Sequence, residues 1–388
     1  MNEQKKVIEI NKNPWQGSFL FACWTFLIIL VLFCALRVLM GLEVIRNLPD
    51  WIQDVGFSFL SQIVIMLGVP IVGMRMFWRR KRGIDLPWNK TFSNFGFNRP
   101  GWRVIGYAVL LGLLAYVFNL FVAGFFSGIL NLIGFRFPTP GEDSISGIGG
   151  LLVSFVLIAV LPGLCEEVTH RGMLLRSFAD KFGMMRAILL SSVLFGFMHL
   201  NIVQVFYATI LGFVMAMSIV ATRSIWTGVI IHFMNNGIGT YLSFAYRNNL
   251  WGGDLLNRFF EVMSSSILIY IFFVILVYIS IFGIIHVFAK ENYEKNKATH
   301  LSNMIARDPT LRRRFAIIGD NFDEITRQIE ERVAFLPKFY RTMFYLDSTV
   351  VLRRKGRIPM TAAERTVFWG IMFFGGLVTA FTLVWGLL

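Results

Sequence analysis

Two adjacent glutamates inside an apolar run constrain the fold of this chain more than any other feature. Glu166 and Glu167 follow an almost uninterrupted apolar stretch over 149–165, within the sequence LPGLCEEVTHRGMLLRSF at 161–178. A charged side chain at the centre of a bilayer costs roughly 2.5–3.5 kcal/mol, even on the most lenient insertion scale. Acids in such a position therefore face a cavity or a partner, and they commonly serve a function.

Helical spacing gives the two glutamates different environments. Glu167 and Arg171 lie four residues apart on one helix face, where their charges neutralise each other. Glu166 then points about 100° away and is the acid that is free for chemistry. Pro162 and Gly163, just upstream, release a backbone hydrogen bond and bend the helix, which is tolerated at depth only beside protein or water. The pattern predicts a wet pocket at Glu166.

The composition indicates a membrane protein with many spans. The chain has 388 residues, of which 56% are apolar, and its mean hydropathy is +0.63. These values are unusual for a soluble globule and ordinary for a polytopic membrane protein. We therefore expect an all-α membrane helix bundle with about nine spans and a small helical cytoplasmic insert. Apolar runs long enough to cross a bilayer occur at 18–40, 55–77, 103–130, 148–175, 186–202, 203–221, 225–244, 264–289 and 367–388.

The positive charge of the chain indicates membrane topology. The formal net charge is +14, and its clusters at 79–82, 312–314 and 353–357 stand outside the apolar runs. This distribution is typical of cytoplasmic loops, so we expect membrane lipids as partners and no nucleic acid. Alternation of the spans then places the N-terminus and the basic stretches inside. The loops FPTPGEDS at 137–144 and YRNNLWGGD at 246–254 fall outside.

The chain divides into five predicted parts. The predicted insert at 290–365 carries apolar residues at helical spacing over 317–336. Within it, Thr361 and Glu364 form a capping box that starts the last span. Three cysteines lie in apolar runs without a metal or disulfide spacing, so they receive no redox role. The parts are N-terminal spans with a basic loop (1–100), a membrane core (101–245), an outer loop with the eighth span (246–289), the basic insert (290–365) and a last span (366–388).

Three short polar motifs lie in the predicted core. They are Glu166, Glu167 and Arg171 in the pattern EExxxR, then Phe195 and His199 in FxxxH, then His232 and Asn236 in HxxxN. A lone histidine on an apolar helix is more often a packing residue, and a lone Glu–Arg pair is more often a structural clamp. Together they favour a site, because polar groups in hydrocarbon must find each other.

The three motifs in this order resemble the CPBP family, which includes type II CAAX prenyl endopeptidases and bacteriocin-processing or self-immunity proteins. The resemblance covers roughly residues 100–245, and no motif residue departs from the pattern. It implies hydrolysis of a peptide bond within the membrane. By similarity, Glu166 and His199 would hold and deprotonate a water, while His232 and Asn236 would donate hydrogen bonds to the tetrahedral oxygen. Glu167, Arg171 and Phe195 would support them.

The same residues also allow a metal mechanism. One carboxylate and two imidazoles form an ordinary zinc set, so Glu166, His199 and His232 are the alternative zinc ligands, with Glu167 left as the base. We favour the metal-free glutamate mechanism, because Asn236 suits an oxyanion donor better than a zinc ligand. The sequence leaves both mechanisms open.

The function expected is an intramembrane endopeptidase acting on a membrane-associated or lipid-anchored peptide near the cytoplasmic face. The alternative is a non-catalytic immunity or scaffold protein in which the motifs only lock helices together. A transporter is not favoured, because the sequence shows no repeated pair of interrupted spans. We expect a conical cavity lined by Phe and Met that opens to the cytoplasm beside Arg176, Lys181, Arg186 and Arg223. The short loops favour a bacterial plasma membrane as the location. Nothing in the sequence indicates whether the substrate is prenylated.

Overall fold

The chain folds into a bundle of helices. A computed structural model describes residues 14–136, 147–307, 322–348 and 359–387. Every regular element within these ranges is a helix, in agreement with the predicted all-α class. The N-terminal segment 1–13, the loop at 137–144 and the basic clusters at 312–314 and 353–357 lie outside the described residues.

Twelve helices, numbered α1 to α12 in chain order, account for the bundle and the insert. Short helices at Glu43–Arg46, Trp88–Phe95 and Leu255–Ser264 connect some of them. The bundle consists of α1 (Phe19–Met40), α2 (Asp50–Arg82), α3 (Trp102–Leu132), α4 (Gly147–Phe182), α5 (Met184–Met198), α6 (Ile202–Thr222), α7 (Ile225–Arg247), α8 (Ile267–Lys295) and α12 (Ala362–Leu387). The insert contributes α9 (Lys297–Arg307), α10 (Phe322–Ala334) and α11 (Lys338–Leu346).

Nine bundle helices correspond to the nine predicted runs, but only seven of them are candidate spans by length and composition. The chain is therefore an integral membrane protein with about seven such helices among its described residues. Helix α5 falls short because its 15 residues extend about 22 Å, against a hydrocarbon core of roughly 30 Å. Helix α7 has 23 residues, but its sequence carries several polar side chains, among them Asn235 and Asn236.

Helix α4 is continuous across the predicted bend. It widens to π-helical geometry over Phe155–Val160, immediately before Pro162, and again over Val168–Leu174. A π-type turn tolerates a proline because neighbouring residues absorb the missing backbone hydrogen bond. Such single-turn bulges are frequent at functional sites, and here one lies on each side of Glu166 and Glu167.

Hydrogen bonds identify the two ends of the bundle. At one end the Ile225 amide donates to the Gly96 carbonyl at 2.8 Å, and the Arg223 guanidinium donates to Asn296. At the other end the Ile202 amide donates to the Thr382 hydroxyl at 3.0 Å. We call the first the basic end, since the four consecutive basic residues 79–82 that close α2 lie there.

The described part of the insert packs on the basic end through a small core of its own. This core consists of Tyr293, near the C-terminal end of α8, together with Met304, Val333 and Phe344 of the insert. The predicted capping box is confirmed: the Thr361 amide donates to the Glu364 carboxylate at 2.7 Å, and the Glu364 amide donates to the Thr361 hydroxyl at 3.2 Å. Because Lys181 also contacts Glu364 at 2.8 Å, this cap ties α12 to α4.

Candidate active site

Glu167 and Arg171 form a fully buried ion pair on α4. An Arg171 Nη1 hydrogen donates to Glu167 Oε1 at 2.8 Å, and Nη2 donates to the Gly212 carbonyl of α6 at 3.0 Å. Both side chains are completely buried. Glu167 Oε1 also accepts from His232 Nδ1 at 3.2 Å, so this carboxylate joins α4 to α7. The pairing is the one that helical spacing predicts.

Glu166 points away from that pair and faces a cavity. Its Oε1 accepts a hydrogen bond from Gln62 Nε2 of α2 at 3.1 Å, and its Oε2 lies 4.0 Å from His232 Nε2. Its side chain keeps 14% of its surface exposed, whereas that of Glu167 keeps none. Glu166 is thus the carboxylate with access to a reactant, as expected from the sequence.

The position of His199 results from the shortness of α5. The helix ends at Met198, and Leu200 takes a positive φ of 51° before the Asn201 side chain caps α6 by accepting from the Val203 amide. His199 Nδ1 lies 2.9 Å from the Phe195 carbonyl. A carbonyl only accepts, so Nδ1 is the donor and the neutral imidazole leaves the lone pair of Nε2 available.

Phe195 packs against the polar groups of all three motifs. Its ring centroid lies 5.1 Å from that of His199 and 5.6 Å from that of His232, both edge to face. The Arg171 guanidinium carbon lies 4.4 Å from the same ring. This contact explains why an aromatic residue stands four positions before His199: one ring orients two imidazoles and covers the buried cation.

Asn236 takes part in a row of amides. Its Nδ2 donates to the Ile158 carbonyl at 2.9 Å, and its Oδ1 accepts from Asn235 Nδ2 at 3.0 Å. The row continues to α3, where Asn119 Nδ2 donates to Asn235 Oδ1 at 3.1 Å. Since an amide nitrogen carries two hydrogens, Asn236 keeps one for another acceptor.

These side chains line one cavity of about 700 Å³. Glu166, His199, His232 and Asn236 all contribute to its wall, so three helix segments that are apart in sequence meet there. Two predictions about its shape were wrong. Among the described residues no methionine lines it, and its walls extend from the motif residues toward the end opposite the basic turns, reaching Arg247. The basic residues that were expected at its mouth, Arg176 included, do not line it.

The comparisons with known proteins point to one family for the segment that carries the motifs. The profile of one family, described as type II CAAX prenyl endopeptidase Rce1-like, matches residues 148–238, which contain all three motifs. Residues 148–238 are therefore similar to this family. The match begins at α4 and ends within α7, and is narrower than the resemblance read from the motifs because it leaves α3 out.

A relative from Bacillus subtilis (strain 168), named "Putative membrane peptidase YdiL", is 25% identical over 132 residues. The alignment covers 32% of this chain and 54% of the relative, so the chain spans about half the length of the curated protein it matches. No solved structure matches the chain.

The Rce1-like segment does not fit a zinc ion as it stands. Within the described ranges, no three His, Cys, Asp or Glu side chains are grouped closely enough to hold a metal. His232 Nδ1 is already engaged by the Glu167 carboxylate at 3.2 Å. We therefore derive no step through a metal.

Residues outside the three motifs complete the Rce1-like site. Gln62 was missed because it lies on α2, although a lone amide in the apolar run FLSQIVIMLG was a readable signal. Asn119 on α3 and Asn235 beside Asn236 on α7 were missed as well. The other histidines play different parts: His170 is buried with Nδ1 on the Glu166 carbonyl, and His286 contacts Thr342. Cys165 is fully buried, and it is not among the residues that line the cavity.

Proposed function

We propose that the chain is an intramembrane endopeptidase, in which a water held by Glu166 and His199 hydrolyses a peptide bond in the 700 Å³ cavity. One observation carries the proposal. The Glu167 carboxylate is neutralised in a buried ion pair, whereas the adjacent Glu166 carboxylate faces the cavity that His199 and His232 also line. A carboxylate with access to water is what a general base requires.

The surroundings of Glu166 prepare it to orient and deprotonate water. The Gln62 amide holds Oε1, so Oε2 is left to face a reactant. His199 presents the lone pair of Nε2, because Nδ1 donates to its own helix. A water donating one hydrogen to Glu166 and one to His199 has its oxygen lone pairs directed at a substrate carbonyl. Glu166 accepts the proton as the carbon–oxygen bond forms.

His232 and Asn236 are placed to stabilise the negative oxygen of the tetrahedral intermediate. His232 donates from Nδ1 to Glu167, and as an imidazolium it also donates from Nε2 to the oxyanion. Asn236 offers its second Nδ2 hydrogen. A donor of this kind is worth about 3–4 kcal/mol of transition-state stabilisation. The intermediate then collapses as Glu166 returns its proton to the leaving nitrogen, which breaks the C–N bond and releases an acid and an amine.

The non-catalytic alternative accounts for only part of the site. A scaffold role explains Glu167 and Arg171, which join α4, α6 and α7 through buried contacts. It does not explain why Glu166 and His199 face a cavity large enough for a peptide segment. We therefore assign the ion pair to the fold and the cavity residues to chemistry.

The experiment starts from the substrate. Membranes from cells with and without the gene are compared for peptides whose termini change, and a synthetic peptide around that site is digested by the purified protein in proteoliposomes. Glu166→Gln should lower kcat by at least about a thousandfold, since it removes the base but keeps the shape. His199→Gln should lower it by about a hundredfold or more.

The matched control is Glu43→Gln, the same substitution at an exposed glutamate of the short helix after α1. It should keep full activity. Glu166→Gln protein that folds normally and cleaves at the unaltered rate would rule out the proposed mechanism.

A further inference from the structure

The cavity runs toward one end of the bundle. On α7 its wall begins at His232, about 10 Å from the basic end at ~1.5 Å per residue, and continues to Arg247. On α4, which runs the opposite way, the wall covers residues between 151 and 166 and ends at Glu166. The motif residues thus form the floor of the cavity, and the mouth lies at the end of the bundle where α4 begins and α7 ends.

The two ends of the bundle differ in charge. Each lysine among the described residues lies at the basic end or in the helices that follow Lys290. The connections at the other end carry arginine and acidic residues but no lysine, over 41–50, 133–146 and 248–266. Because cytoplasmic connections carry the excess of Lys and Arg, the basic end faces the cytoplasm and the cavity mouth faces the opposite side of the membrane.

The wall of the cavity is polar over much of its surface. Hydroxyl and amide side chains alternate with aliphatic ones on α3, α4, α6 and α7, and they include Asn119, Ser154, Gln204, Asn235, Thr240 and Ser243. A prenyl chain buried there would keep from water those groups that have no protein partner, such as Asn119 Oδ1, at a cost of about 1–3 kcal/mol for each. A peptide backbone, with its own N–H and C=O groups, would satisfy them.

We infer that the substrate is a polar, unprenylated peptide segment that enters the site from the extracytoplasmic face of the membrane. The inference rests on the proposed peptidase function for the chemistry, but its side of entry depends only on the shape and charge of the bundle. The segment lies along α7 with its backbone against the amide row of Asn119, Asn235 and Asn236. The scissile carbonyl reaches Glu166 at the floor.

Cysteine labelling tests the side of entry without any activity. Ser243→Cys places a thiol on the exposed cavity wall of α7, and the matched Lys90→Cys places one on the exposed surface at the basic end. Intact bacterial cells expressing each variant are treated with a membrane-impermeant maleimide, and labelling is counted above that of the parent chain, which holds its own three cysteines. We expect Ser243→Cys to be labelled in intact cells and Lys90→Cys only after permeabilisation.

The reverse pattern, or a Ser243→Cys thiol that reacts only in opened cells, would overturn the inference. A thiol that stays unreactive in both preparations would also overturn it, because the mouth would then be closed to water. None of these results depends on catalysis, so they are distinct from a failure of the peptidase proposal.

Paired peptides test the substrate chemistry. A pool of synthetic peptides, each made with and without a farnesyl thioether on one cysteine, is digested by the protein in proteoliposomes, with Glu166→Gln protein as the blank. We expect the unmodified member of each cleaved pair to be cut at least as fast as the farnesylated one. Cleavage confined to the farnesylated members would refute this part, whereas cleavage of no peptide at all would count against the peptidase function itself.

Discussion

Substitutions in the buried ion pair test whether Glu167 stabilises the fold while Glu166 serves the chemistry. Arg171→Met keeps the volume of the side chain but leaves the Glu167 carboxylate buried, with His232 Nδ1 as its remaining hydrogen-bond partner. The Gly212 carbonyl loses its donor as well. Removing one partner of a buried pair typically costs about 3–5 kcal/mol, because the other charge is left uncompensated.

The double substitution separates that cost from lost packing. In Glu167→Gln with Arg171→Met neither charge remains, and Gln can still accept from His232. We expect the double variant to regain about 2–4 kcal/mol relative to Arg171→Met alone, as a double-mutant cycle would report. Glu167→Gln alone should be destabilised by a few kcal/mol, since the guanidinium is then the uncompensated charge.

The assay is the fraction of detergent-solubilised protein that remains monodisperse after heating, read by size-exclusion chromatography. With a shift of roughly 2 °C per kcal/mol for a larger protein, Arg171→Met should fall by about 5–10 °C. Glu43→Gln, at an exposed position, is the control and should not shift. Single variants as stable as the parent but devoid of activity would refute our reasoning, because Glu167 would then belong to the chemistry and a metal mechanism would regain support.

Three further predictions concern single contacts. Gln62→Leu removes the donor to Glu166 Oε1 and should lower kcat about tenfold to a hundredfold with KM unchanged, in steady-state peptide cleavage; an unaltered kcat would deny Gln62 a positioning role. Gly228→Ala would bring a methyl group within 2.8 Å of the buried carboxylate of the ion pair and should lower the midpoint of heat inactivation, while Gly283→Ala, which meets no atom within 4 Å, should not. Thr361→Ala removes the N-cap hydroxyl of α12 and should cost about 1 kcal/mol in thermal stability without altering cleavage.

Much of the site could be predicted from the sequence because it depends on spacing within single helices. Four-residue spacing on a helix sets which side chains share a face, and this alone separated the buried Glu167–Arg171 pair from Glu166. The cost of a charge in hydrocarbon made these residues conspicuous. The same reasoning gave the helical class and the capping box at Thr361.

What the sequence could not supply depends on contacts between distant segments. Gln62 lies on a helix far from the motifs, so its bond to Glu166 exists only once α2 packs on α4. The direction of the cavity was likewise decided by packing. His232 is about 10 Å from the basic end along its helix, which suggested an opening there, but the cavity wall runs from His232 away from that end to Arg247. Helix periodicity determines which face is polar, and only tertiary packing decides which end of that face water and substrate can reach.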